Sequence, residues 1–145
     1  NRYILICPWL RKYQTNLMQL TSEQLKRHGA SIRRFKNSRI HTIDLSQANC
    51  VVDDSLVQQL QSHTTLVELD LSDSDITNQA IEHLTLFAKL TSLNLKNTTI
   101  NDDCVDALLE MQQLKLLILC NTEIAATTIE EIRPRMINTR IVYLQ

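Results

Sequence analysis

Three carboxylates, Asp44, Glu68 and Asp70, lie 24 and 26 residues apart in stretches that otherwise match, "TIDLS" and "ELDLS". If that spacing sets them on adjacent strands, Asp44 and Asp70 are direct neighbours with Glu68 beside them. Close carboxylates repel, and a proton, a cation or a basic partner relieves the repulsion. Calcium asks for six or more oxygen ligands and magnesium for octahedral geometry. Three carboxylates on a flat surface supply neither, so no metal, no cofactor and no acid–base catalysis is expected. A solvated or partner-binding face is. A second pairing sets Cys120 beside Lys96, whose charge would favour a thiolate. Nucleophilic use also needs a base, and none of the four histidines falls beside it. His28, His41, His63 and His83 are expected in structural roles.

Other chemistry is excluded by composition. Gly29 is the only glycine, whereas a dinucleotide fingerprint or a P-loop needs several, so that backbone can approach phosphate. The four cysteines (Cys7, Cys50, Cys104, Cys120) form no CxxC or CxxCH. Zinc-ribbon, thioredoxin-like and c-haem signatures are therefore absent, and small buried hydrophobes are expected instead. Net charge is −1, but it is unevenly spread. Residues 1–41 carry nine basic side chains against Glu23 alone, whereas the rest carries six basic and fifteen acidic ones. Such a basic end suits an anionic partner, or a basic cap beside an acidic body. "YILICPWL" (residues 3–10), followed by Arg11 and Lys12, reads either as the end of a longer membrane span or as a packed strand or helix start.

The elements that position these groups come from an internal repeat. Leu66, Leu90 and Leu114 are 24 residues apart, as are Leu69, Leu93 and Leu117. The same spacing relates Leu71, Leu95 and Leu119, and then Ile76, Ile100 and Ile124. Ile81, Val105 and Ile129 follow, then Leu84, Leu108 and Ile132. A small hydroxyl residue lies between Leu71 and Ile76 and at the equivalent places: Ser74, Thr98 and Thr122. An earlier unit starts at Ile40, Ile43 and Leu45 with a two-residue insertion in "SQANCV", and a closing strand falls at Ile141 and Tyr143.

The pattern LxxLxLxx(S/T)xI resembles the leucine-rich repeat over residues 40–145. The physics agrees. Alternating leucines line one face of a short strand. One unit cannot bury that face, whereas stacked units bury it continuously. Strands about 4.8 Å apart then build a curved sheet roughly 20 Å across. The second half of each unit, such as "TNQAIEHLTLFAKL", has helical spacing. Asn101, Asp102 and Asp103 suit an N-cap and first turn. The hydroxyls of Ser74, Thr98 and Thr122 are expected to bond backbone where the family more often has asparagine.

Upstream, Pro8 with Trp9, Tyr13, Leu17 and Leu20 predicts a helix. Thr21 and Gln24 predict a capping box for a second, short helix stopped by Gly29. "ASIRRFKNSRIHTIDLS" predicts a hairpin with an Asn37–Ser38 turn. The predicted fold is thus an α/β leucine-rich-repeat solenoid, a right-handed βα superhelix with a parallel concave sheet and convex helices. An N-terminal helix and hairpin cap (1–39) precedes the repeat domain (40–145), which holds about four units of 24–26 residues plus a terminal strand.

The order helix, "LKRHGASI", hairpin, "IDLSQANCVVDDSL", repeats with T-x-I and final "IVY" also resembles the planctomycete-type bacterial envelope modules often fused to c-type cytochrome domains. That resemblance implies a membrane-anchored envelope location and no catalytic residues. The chain departs from it in lacking CxxCH and in carrying "TN", "ND" and "AA" where the modules have "TD". A weaker similarity is to the mitochondrial ATP synthase subunit s family.

Between the leucines, strand side chains face the concave side. They form a grid of Thr42, Asp44 and Ser46; Glu68, Asp70 and Ser72; Ser92, Asn94 and Lys96; Leu116, Ile118 and Cys120; then Arg140, Val142 and Leu144. The expected function is a non-catalytic protein-interaction module. Its partner, or another domain of the parent chain, would use Asp44, Glu68, Asp70, Asn94, Lys96, Leu116, Ile118, Cys120, Val142 and Leu144. The alternative is a membrane-associated accessory subunit of a bacterial envelope or cytochrome-linked respiratory complex, touching anionic lipid through the basic N-terminal region. No nucleic-acid partner is expected.

Overall fold

A computed structural model describes residues 20–144. The helix expected from Pro8 and the "YILICPWL" stretch fall outside the described residues. Six strands form one sheet in sequence order: β1 (Ser31–Arg34), β2 (Ile40–Asp44), β3 (Glu68–Asp70), β4 (Ser92–Asn94), β5 (Leu116–Ile118) and β6 (Arg140–Val142). The β1–β2 pair is antiparallel, and every later pair is parallel. Register follows the repeat: Ile43, Leu69, Leu93, Leu117 and Ile141 lie side by side.

The helices are α1 (Ser22–Arg27), α2 (Asp54–Gln59), α3 (Asn78–Leu84), α4 (Val105–Glu110) and α5 (Ala126–Ile132). Each from α2 to α5 crosses from the end of one strand towards the start of the next. They are short, at six or seven residues. Such lengths are marginal alone, so packing on the leucine face holds them. Leu66, Leu71, Ile76, Leu90, Leu93, Leu95, Ile100, Leu114, Leu117, Leu119 and Ile124 are all 0% exposed.

One repeat position departs from the sequence alignment. Val105 is only half-buried, whereas Ile81 and Ile129 are buried. A 3-10 turn (Asp102–Cys104) precedes α4; Cys104 is buried like its repeat equivalent Ala80, and Val105 packs against the core from its half-buried position.

Caps and turns carry the remaining backbone groups. Thr21 and Gln24 form the capping box of α1, with Thr21 N–H donating to Gln24 Oε1 at 2.8 Å. Gly29 follows at φ +82°, where an added Cβ would lie 3.0 Å from Asn49 N and Gln47 O. The left-handed backbone and the close approach both demand glycine. The approaching chain is the two-residue insertion, whose Asn49 N–H donates to His28 O at 2.9 Å and whose side chain donates to Arg27 O at 3.2 Å. The insertion therefore satisfies carbonyls at the end of α1. The hairpin turns through Ser38 at φ +66°.

Between units, helix starts are cross-linked at a 23-residue step. Thr77 N–H and Oγ1–H donate to the Asp54 carboxylate at 2.7 and 2.6 Å. Asn78 and Asn101 bond reciprocally, and Ala125 N–H donates to Asp102 Oδ1 at 2.9 Å. That last bond supports the start of α5, where Ala125 has no capping side chain.

Candidate functional site on the concave face

Asp44, Asp70 and Asn94 occupy equivalent positions on β2, β3 and β4. Each side-chain oxygen accepts the N–H two residues on: Ser46 at 2.9 Å, Ser72 at 2.9 Å and Lys96 at 3.1 Å. The Ser46 and Ser72 hydroxyls add bonds of 2.6 and 2.7 Å to the same carboxylate oxygens. Asn94 also donates to the second oxygen of Asp70 at 2.8 Å. Glu68 accepts Thr42 Oγ1–H at 2.8 Å. Much of the carboxylates' acceptor capacity is thus filled by neutral donors from the chain. Among the described residues no group of three His, Cys, Asp or Glu is placed to hold a metal.

A shallow groove of about 200 Å³ runs over these side chains, lined by Arg33, Thr42, Asp44, Glu68, Asp70 and Asn94 among others, with Ile118 at its far side. Arg33 was not on the sequence-derived grid. It reaches the concave face because the antiparallel β1 pairs Arg33 with Thr42. Its alternation with the half-buried Ile32 carried that signal. The acidic half therefore contains a guanidinium, and carboxylates do not stand alone there.

The ladder of side-chain acceptors stops at β5. Ile118 stands in register with Asn94 and offers Cys120 N–H no oxygen. Leu116 pairs with Arg140, and Ile118 with Val142. Leu116, Ile118, Cys120 and Val142 are half-buried. Full exposure is confined to Leu144, at 69%, beyond the end of β6. The apolar half is thus a shallow, partly shielded strip. Cys120 Sγ lies 3.9 Å from Val142 O. Lys96 is exposed at the strand ends.

The turns after the strands hold a second ladder. Asp73, Asn97 and Asn121 have φ values of +59°, +55° and +52°, which short polar side chains tolerate best after glycine. Asn97 donates to Asp73 at 2.5 Å and Asn121 donates to Asn97 at 2.9 Å. Beneath them Ser74, Thr98 and Thr122 are buried, and their hydroxyls donate to Leu71 O, Leu95 O and Leu119 O at 2.5, 2.7 and 3.0 Å. This is the backbone bond expected of the hydroxyls. The Asp73–Asn97–Asn121 ladder lies outside the concave grid, and its signal in the sequence is the same 24-residue spacing.

Of the histidines, His41 adjoins the groove through Thr42, whereas His63 and His83 bond elsewhere. His63 Nε2 bonds Leu20 O at 2.9 Å, and His83 Nδ1 lies 3.3 Å from Gln61 Nε2. His41 stacks edge-on against Phe35 at 4.6 Å and bonds Thr42 Oγ1 at 2.7 Å. Burial lowers the pKa of His63, opposed by the Leu20 carbonyl and aided by the charge of Arg34. Burial pushes the Cys104 thiol up to about 12, with Asp102 and Asp103 adding to the rise.

No family model and no curated protein matches the chain. Solved structures do. The leiomodin-1 actin-binding site 2 structure superposes at a TM-score of 0.59 with 15% identity, over 87% of this chain and 81% of that one. Internalin C2 from Listeria monocytogenes superposes at 0.54 with 26% identity, over 73% of this chain. The match takes in 42% of the internalin chain. Together with the in-register parallel sheet and its outer helices, these likenesses make the chain an α/β leucine-rich-repeat solenoid.

Proposed function

We propose that the chain is a non-catalytic protein-interaction module and that its concave face binds the partner. Residues 40–145 would be the binding domain and residues 1–39 its cap. One observation carries the reading. The acceptor ladder of Asp44, Asp70 and Asn94 gives way to Ile118, and a strip of Leu116, Ile118 and Val142 runs in register on the non-core side of the sheet. None of these three is required by the core, which Leu114, Leu117 and Leu119 fill. Contiguous accessible apolar surface tends to mark a binding site. The groove formed by Arg33, Asp44, Glu68 and Asp70 supplies charge at one end for orientation, with Asn94, Lys96 and Cys120 between and Leu144 at the far edge. Leiomodin-1's matched structure is an actin-binding site, so the same architecture serves protein binding there. At 15% identity that likeness carries the architecture and not the partner. The sequence resemblance to bacterial envelope modules points to another domain of the parent chain or an envelope protein as the partner.

The test is affinity capture with the wild-type chain and with Leu116→Asp/Ile118→Asp. Proteins retained by the wild type should be lost with the variant, whose thermal denaturation should stay cooperative. Unchanged retention by a folded variant refutes the concave site.

A further inference from the structure

The turns leading into the strands form one long rim of the solenoid, and its composition is unlike that of the rest. The hairpin tip brings Arg34, Lys36 and Arg39 to this rim. The turn before β4 adds Lys89, and the turn before β5 adds Lys115. The closing 3-10 turn of the last unit adds Arg133 and Arg135. All seven are exposed. Residues 34–41, 60–67, 85–91, 111–115 and 133–139 contain no carboxylate. Carboxylates do flank them: Glu68 and Glu110 adjoin these segments, Glu131 lies two residues before Arg133, and Glu23 sits in the first turn of α1, whose Ser22 lines one depression with Arg34 and Arg39. The opposite rim, where strands end and helices begin, is net acidic, with Asp53, Asp54, Asp73, Asp75, Asp102, Asp103 and Glu123 against Lys26, Arg27 and Lys96. The charge imbalance read along the sequence is therefore, in space, also a polarity across the sheet.

Exposed large hydrophobics follow the same division. Phe35 (42%), Leu86 (66%) and Ile137 (81%) all lie on the basic rim, whereas Val51 and Leu144 lie elsewhere. An open depression of about 480 Å³ is lined by Phe35, Lys36, Asn37, Arg39, Thr65 and Lys89. The described chain also begins on this rim, since His63 holds Leu20 O at 2.9 Å.

We propose that the strand-start rim docks on an anionic lipid bilayer, its cations among the headgroups and Phe35, Leu86 and Ile137 in the interface. Three features favour a bilayer over other anions. The cations are spread across successive units about 4.8 Å apart, so they form an edge and not a pocket. Apolar side chains alternate with them, which an interfacial surface rewards and a phosphate backbone does not. The acidic rim points the other way, so an anionic surface also orients the molecule. The proposal is independent of the concave-face reading, because it uses different residues.

Flotation of the full chain with phosphatidylcholine vesicles, with and without phosphatidylserine, tests it. Binding should require phosphatidylserine and fall as salt rises, because exposed charges are screened. Lys36→Glu/Arg39→Glu/Lys89→Glu should weaken binding about a hundredfold or more, from roughly fivefold per cation at an anionic surface. Phe35→Ser/Leu86→Ser/Ile137→Ser should weaken it without removing the salt dependence. Leu116→Asp/Ile118→Asp should bind as the wild type does. Circular dichroism melts establish that each variant folds, and the single exchange Lys89→Glu serves if the triple does not. Equal flotation with neutral vesicles, full retention by the glutamate variant, or capture by duplex DNA without capture by vesicles would each overturn the proposal.

Discussion

The concave positions of β2–β4 and those of β5–β6 have the same backbone and different chemistry. On the first set Asp44, Asp70 and Asn94 each cap the N–H two residues ahead. On the second, Ile118 and Val142 occupy the equivalent register and cap nothing. The sheet forms either way. A side chain in this row is thus free of the core's demands, and its type reports what it meets outside. The leucines one residue away have no such freedom, being wholly buried in every parallel unit from β3 to β5 or nearly so.

The largest effect should come from crossing from that free row into the core. Leu93→Ala, at a 0% exposed site on β4, should cost roughly 2–5 kcal/mol by urea denaturation. Ile118→Asn, on the free row, should change stability by less than about 0.5 kcal/mol. Comparable losses from the two would abolish the distinction between rows.

The buried turn hydroxyls should rank next. Thr98→Val keeps the shape but removes the donor to Leu95 O, 2.7 Å away. An unsatisfied buried carbonyl costs roughly 1–3 kcal/mol. Asp70→Ala should cost about 1 kcal/mol, because it releases Ser72 and Asn94 at a partly exposed site. If Asp70→Ala instead stabilises the chain, its carboxylate is held for a partner and not for the fold.

A smaller effect should appear with pH. His63 has a folded pKa below its ordinary 6.5 because of burial. The unfolded chain therefore binds the proton first. The contribution of neutral His63 is complete above 6.5 and is lost as pH falls through the lowered folded pKa. His63→Gln, whose amide can still donate to Leu20 O, should flatten part of that acid-side fall in the urea midpoint. A fall of undiminished slope in the variant would assign the pH dependence elsewhere. Smallest of all should be the native reactivity of Cys104. Its buried thiol, with a pKa pushed up to about 12, should resist maleimide until the chain unfolds, whereas half-buried Cys50 labels in the native state.

Much of this architecture was legible in the chain. Leucines at a 24-residue period have one efficient burial, a stack of parallel strands in register, so period alone set which residues are neighbours. Thr21, Gln24, Gly29 and the Asn37–Ser38 turn announced themselves because caps and left-handed turns accept few residue types. The concave grid followed from two-residue alternation and was correct for Asp44, Glu68, Asp70, Asn94, Leu116, Ile118 and Val142 as positions in the sheet.

What the chain could not show by itself arises between elements without a common period. Arg33 enters the acidic groove only because β1 runs antiparallel and pairs with Thr42. Val105 is only half-buried, although Ile81 and Ile129 at the same repeat position are buried. The shielding of Leu116 and Ile118 depends on how closely neighbouring strands crowd them. The basic rim is the clearest case. Its cations and exposed hydrophobics are scattered from residue 34 to residue 137. They converge because every unit returns its chain to the same edge before each strand begins. Local pattern is set by burial and propensity and can be read one unit at a time. Charge on a surface is a sum over units, and only the stacked structure performs that sum.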